Sequence, residues 1–295
     1  MNEDETLKHG RLPVKVLAPR ILDYFQKISP DLAVAIKHEI DYNELKPTIV
    51  YNNNIQEIQI IAQIDYDHEI TIDESFLAFL WCLSYAVVTF YSERDPATFT
   101  EPVNRATQLL DYGLSLFNQW SSWDLSKPNP QKPDSTDKYI DQANAVMIFA
   151  SVFILCHEFA HQHLGHLDNG HTADTDELKE DEFAADSYAT SATLDTINYD
   201  VPSFEHTVKI ALVVGIGSIL FVNNSLSGDE SHPDTDLRII EVINKITNND
   251  PNSEYWVHAI VLLNLWELIY RGSRTEPSSQ MTAKEHFEWL ADELK

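Results

Sequence analysis

His157, Glu158 and His161 are the residues whose types and spacing most directly suggest chemistry. An α-helix turns by about 100° per residue, so the two histidines fall about 40° apart on one face, one turn from each other. Glu158 lies about 60° from His161, within reach of an atom that both imidazoles hold. Two neutral imidazoles with a carboxylate beside them make the two-His half of a zinc site with a general base at hand. The competing reading is a helix with two partly exposed histidines and a surface Glu. A catalytic zinc site needs a third protein ligand and an open position for water, so the two readings part at the third ligand.

One common solution places a third His six residues after the second, with Gly three after it. Those positions hold Leu167 and Leu164, which excludes it. The other is a Glu on a later helix with a carboxylate one turn on, and Glu182-Phe183-Ala184-Ala185-Asp186 supplies that pattern. Glu182 is read as the third ligand, with Glu180 as its rival. Asp186, four residues on and on the same face, is read as acceptor for the outward N–H of a ligand imidazole, preferably His157. A solvated acidic face is the alternative, because Glu177, Glu180 and Asp181 lie nearby. His163 points about 200° round the helix from His161, His166 follows Gly165, and His171 falls in a loop; all three are read as non-ligands. Tyr188 and Tyr199 could donate to an oxyanion, but nothing singles them out. The expected cofactor is one Zn²⁺ per chain.

The zinc helix is expected to start near Asp137 or Asp141, run through the apolar stretch 145–156, and stop at Leu164 with Gly165 as cap. Apolar nearly all round, its upstream half should be central and buried, which suits a metal site that needs a rigid support. Helices are also expected over 19–28, 31–40, 76–91 (capped by Asp73 or Ser75), 103–120, 176–194, 206–222, a segment from Pro233 to Ile246, 254–271 and 282–294. The period-two spacing of Ile55, Ile58, Ile60, Ala62 and Ile64, with Ile70 and Ile72 after a turn, predicts an antiparallel hairpin. Three prolines between Lys127 and Pro133 predict a surface loop, a candidate mobile edge over a cleft; 223–233 reads as a second irregular loop. The fold class is α+β, predominantly α-helical. Residues 1–12 read as a mobile tail and 13–295 as a single domain, with the metal-site core in 137–245.

The chain has 47 acidic and 20 basic residues, a formal net charge of −27. That field repels phosphate backbones and anionic lipid, so direct nucleic-acid binding is not expected; it favours cations and basic peptides. The two cysteines, Cys82 and Cys156, sit in apolar runs and read as buried free thiols. The first residues carry no secretory pattern, and each apolar run is shorter than the roughly 18–20 residues that span a bilayer. The expectation is a cytoplasmic protein without a membrane span.

His157-Glu-Phe-Ala-His161 followed by Glu182-Phe-Ala-Ala-Asp186 resembles the gluzincin metallopeptidases. Ser231-His-Pro-Asp-Thr-Asp-Leu-Arg238 is similar to an element of zinc peptidases related to the CAAX-processing enzymes. In them the His is implicated near the metal and the Arg in holding the active-site frame. Carried over, His232 joins Glu158 as a catalytic residue, and Arg238 joins Asp186 behind the ligands. Arg238 lies in the first turns of a helix, where the macrodipole disfavours a cation, so a carboxylate partner is expected, Asp186 or Glu182. The motif order, the segment 123–130 and the hairpin leading into 76–91 also resemble the Lit-type phage-exclusion peptidases, soluble bacterial proteins of similar length. That resemblance implies a zincin-like core and a zinc endopeptidase of phage defence, with elongation factor Tu as protein substrate and a phage-derived peptide as activator. Two other readings stay open: a regulatory protease that cleaves a repressor or other cytoplasmic protein, and a non-catalytic zinc-stabilised binding protein.

Overall fold

The computed structural model describes residues 12–28, 46–50 (backbone), 62–64, 69–93, 101–119, 121–131, 137–167, 174–197, 202–275 and 280–295. The expected helix over 31–40, the hairpin residues 55–61 and the turn at 65–68 lie outside these, as do His171, Tyr199 and residues 1–11 of the expected tail. Leu12, assigned to that tail, is instead fully buried and donates its backbone N–H to Glu74 Oε1 at 2.8 Å. Its apolar side chain stays with the core.

Nine α-helices appear among the described residues: α1 Ala18–Lys27, α2 Glu74–Ser92, α3 Glu101–Asn118, α4 Ile140–His163, α5 Thr175–Leu194, α6 Pro202–Asn223, α7 Thr235–Thr247, α8 Glu254–Arg271 and α9 Ala283–Leu294. The strands are β1 Lys46–Val50, β2 Ala62–Ile64 and β3 Glu69–Asp73, in the order β1-β3-β2. The expected antiparallel pair is present as β2–β3, with Ala62 opposite Ile72 and Ile64 opposite Ile70. A third strand accompanies it: β1 runs parallel to β3, with Thr48 opposite Thr71. Ile70 and Ile72 are fully buried, as the period-two pattern requires, so the sheet lays one face on the helices.

Asp73 ends β3 and caps α2, its carboxylate accepting the Ser75 N–H at 2.6 Å. Every residue of α2 from Glu74 to Phe90 is buried. The other central helix is α4, packed against α1, α2, α5 and α6, and the β2 edge of the sheet lies over it. Trp81 Nε1 donates to Asn144 Oδ1 at 2.7 Å, tying α2 to α4 inside the core. Where α4 meets α6 the backbones come close: a Cβ on Gly215 would sit 2.8 Å from Phe153 Cδ1 and 3.3 Å from Ala150 O. Both cysteines are buried free thiols, and burial raises each well above the ordinary thiol value.

Two expectations about the surface are corrected. Three helices, Glu74–Ser92, Ile140–His163 and Ser203–Asn223, are long and apolar enough to cross a membrane by length and composition. Helix continues past the ends of the apolar runs, through scattered polar residues, and so reaches that length. Within an 18-residue apolar window of each, 83%, 78% and 67% of the residues respectively are buried inside the fold. The second correction concerns the proline-containing loop. In its described part, 121–131, Trp123 is buried, 6.0 Å from the Trp81 ring and 5.2 Å from Tyr112. That part anchors on α2 and α3, and among the described residues the irregular segment 224–234 edges the cleft.

Candidate metal centre and active-site cleft

α4 is buried from Val146 to Cys156, and His157, Glu158 and His161 beyond it are partly exposed in its last two turns. The helix stops where the sequence places its cap. Gly165 takes φ 78°, its N–H donates to Gln162 O at 3.0 Å, and the His166 N–H returns to His161 O at 2.9 Å. This is a Schellman closure, and it turns the His166 side chain back onto the helix. α5 begins in a full capping box, with Asp174 accepting from the Glu177 N–H and Glu177 accepting from the Asp174 N–H. It carries Glu182 and Asp186 one turn apart, facing α4.

His157 Nε2 and His161 Nε2 lie 3.1 Å apart, and Glu182 places Oε2 3.5 Å from the first and Oε1 3.4 Å from the second. Tetrahedral coordination at zinc–ligand distances of about 2.0–2.1 Å separates adjacent donors by about 3.3 Å. Each imidazole thus faces one oxygen of the Glu182 carboxylate at about that spacing, and these three residues could hold a metal ion. Glu180, the rival ligand, is exposed and outside the group. His163 is also exposed, its ring stacked on Phe159 at 5.4 Å, and Tyr188 lies on that same far side, 5.2 Å from the His163 ring.

Behind the donors is a buried ionic frame. Arg238 donates to Asp186 through Nε at 2.7 Å and Nη2 at 2.9 Å, and its Nη1 reaches Glu182 Oε2 at 2.9 Å. Both expected carboxylate partners are therefore used. Asp186 Oδ1 also lies 3.0 Å from His157 Nδ1, a bent contact in which the ring N–H is not squarely aimed. Burial alone would lower the pKa of His157, but Asp186 and Glu182 raise it to about 10. Burial works against ionising Glu182, yet the two histidines and Arg238 hold it well below the carboxylate range. So negative a pocket favours a cation, and its nitrogen and carboxylate donors suit zinc.

Glu158 stands apart from this frame. Its carboxylate accepts the Ile64 N–H of β2 at 3.1 Å, and burial raises its pKa. The cleft beside it, about 360 Å³, is lined by apolar Phe153, Ile154, Ile216 and Ile219 together with Asp229, His232 and the donor group. His232 is half exposed, with Nε2 3.9 Å from Glu182 Oε1. Asp229 holds its Nδ1 at 3.0 Å and its backbone N–H at 2.8 Å. These bonds, with those from Ser231, bring Asp229 far below the usual carboxylate value against the opposing effect of burial.

All seven residues singled out from the sequence converge on this cleft or directly behind it. Three that matter locally were missed: Asp229, His166 and Asp181. His166 Nδ1 lies 3.0 Å from His161 Nδ1, and its Nε2 lies 3.3 Å from Asp181 Oδ1. The signals were present, since Asp229 is three residues before His232, the spacing of a side-chain turn, and a glycine closure brings the following residue back to the helix end.

A helical fold whose cleft presents a His-His-Glu group with a glutamate at its edge has the makings of a metal-dependent hydrolase. A family model described as Peptidase U49 matches residues 70–259, more than half of the chain, and the chain belongs to that family, the Lit-type peptidases. No curated protein and no solved structure gives a significant match.

Proposed function

We propose that this peptidase is a zinc-dependent endopeptidase. The observation that carries the reading is the convergence of His157 Nε2, His161 Nε2 and the Glu182 carboxylate, whose two oxygens lie 3.5 and 3.4 Å from the imidazoles, with Glu158 beside them in the cleft. His157, His161 and Glu182 would hold the zinc, which when bound would supply Lewis acidity and lower the pKa of an attacking water towards about 7. Glu158 is the base that takes the proton of that water, and burial, by raising its pKa, suits it to hand the proton on to the leaving amine. His232, held through Nδ1 by Asp229, turns Nε2 into the cleft as hydrogen-bond donor to the developing oxyanion. Arg238 and Asp186 keep Glu182 ionised and the His157 ring in place.

The Lit-type resemblance extends the proposal to a cytoplasmic role in bacterial phage exclusion, with elongation factor Tu as substrate and a phage-derived peptide as activator. Glu158→Gln keeps the shape of the cleft and all three ligands but removes the base. Cells expressing wild type or Glu158→Gln, compared by proteome-wide mapping of new protein termini, should differ in a defined set of cuts that only wild type makes. With purified protein, Glu158→Gln should bind one zinc and lose at least about 10²–10³-fold in turnover. Full proteolysis by that variant sinks the mechanism, and cuts in proteins other than elongation factor Tu redirect the substrate assignment. Chelation followed by zinc should abolish and restore activity; cleavage that persists after exhaustive metal removal excludes the zinc reading.

A further inference from the structure

The two imidazoles of the donor group are backed by different chemistry. Nδ1 of His157 faces a carboxylate, Asp186, whereas Nδ1 of His161 faces another imidazole nitrogen, Nδ1 of His166, at 3.0 Å. The other nitrogen of His166 faces Asp181 Oδ1 at 3.3 Å. Two ring nitrogens this close share one proton. If His166 Nδ1 carried it, a neutral His166 would turn a bare Nε2 towards the lone pairs of Asp181, and His161 would have to be protonated on the nitrogen that faces His157 and Glu182. The opposite assignment satisfies every contact. His161 Nδ1–H donates to His166 Nδ1, His166 Nε2–H donates to Asp181, and His161 Nε2 keeps its lone pair towards the other two donors.

We propose that His166, held by Asp181, is the positioning residue for His161, fixing the tautomer and the plane of its ring. The proposal rests on the zinc reading above. The backbone builds the contact at the helix end: the Gly165 turn that sends the His166 N–H to His161 O also lays the His166 ring beside that of His161. Asp181 immediately precedes Glu182, so α5 supplies one proposed ligand and the remote anchors of both others, Asp186 for His157 and Asp181 for His161. Partners of this kind orient a metal-bound imidazole, and their loss weakens metal binding by about 10–100-fold.

The test is zinc affinity of the full chain, measured with zinc alone against a chromogenic chelator, for wild type, His166→Phe and His166→Asn. Phe keeps a ring in place but offers no acceptor; the Asn amide oxygen can sit where Nδ1 sits and accept from His161. Affinity should fall about tenfold or more in the Phe variant and stay within about threefold of wild type in the Asn variant. Wild-type affinity in the Phe variant overturns the proposal, and so does an Asn variant as weak as Phe, because that marks a packing role. Should the variants not fold, the imidazole nitrogen-15 spectrum of zinc-loaded wild type decides. A slowly exchanging His161 Nδ1–H coupled through the hydrogen bond to His166 Nδ1 is expected, and protonation of His166 at Nδ1 overturns it. Failure of the zinc reading itself looks different, since wild type would then bind no zinc.

Discussion

On one wall of the cleft Asp186 and Arg238, 52 residues apart in sequence, meet at 2.7 and 2.9 Å with side chains 3% and 4% exposed. On its exposed rim Asp229 and His232, three residues apart, meet at 3.0 Å with side chains 65% and 49% exposed. Both pairs place a carboxylate behind a cationic or ring nitrogen partner, yet they are built by opposite means. The first exists only when α5 and α7 have packed, and water cannot substitute for either partner once it is broken. The second is made by a local turn at the surface, where water can take over. Damage to the first pair should therefore appear as lost folding and lost metal, and damage to the second as lost turnover in a protein that still folds and binds.

Arg238→Ala tests the buried wall most severely. It strips Asp186 and Glu182 of their shared cation and leaves two carboxylates facing each other, which should cost about 3–5 kcal/mol in urea unfolding and abolish tight zinc binding. A variant that unfolds like wild type would remove the contrast. His232→Ala is the corresponding change on the exposed rim. On the proposed role its turnover should fall about 10²–10³-fold, with melting temperature and zinc content unchanged; loss of zinc instead would make His232 part of the ligand frame.

The pH dependence of stability sharpens the comparison further. Burial alone would raise the pKa of Asp186, but Arg238 outweighs it and the carboxyl sits below its usual range. Its ionised form stabilises the fold above roughly pH 4, its value in an unfolded chain, and that contribution fades as pH falls through the lower folded value. The urea midpoint of wild type should therefore drop more steeply than that of Asp186→Asn between about pH 5 and pH 2; parallel curves would show that the pair contributes no net stability. The smallest effect is expected for Asp229→Ala, which frees His232 to rotate: about tenfold in turnover and nothing in stability, read by steady-state assay beside a thermal melt.

What could be read in the sequence follows the same division by range. The helix that carries His157 and His161 was legible because its evidence is local: an apolar run, two histidines one turn apart and a glycine stop. Glu182 with Asp186 was legible as a second local pattern, and their meeting with α4 followed from the chemistry of a third ligand. The partner of Arg238 was narrowed to two carboxylates by the helix dipole argument, and packing then used both. Strand β1 left no comparable trace, because Lys46-Pro-Thr-Ile-Val50 is short, contains a proline, and finds its parallel partner only after a long excursion. The prolines correctly indicated an irregular segment but not its position, which is set by the burial of Trp123. His166, past the Gly165 cap, was read only as a non-ligand; the return of its ring to His161 is visible only in the fold.

The placement of Asp181, Glu182 and Asp186 on a single helix has a kinetic consequence. On the proposed zinc reading, a ligand and both remote anchors leave the centre together whenever α5 lifts or frays, so no intermediate with a half-dismantled site should accumulate. Zinc loss from the folded protein into excess chelator should then follow one exponential, at a rate equal to that at which the α5 amides around Asp186 open to hydrogen exchange.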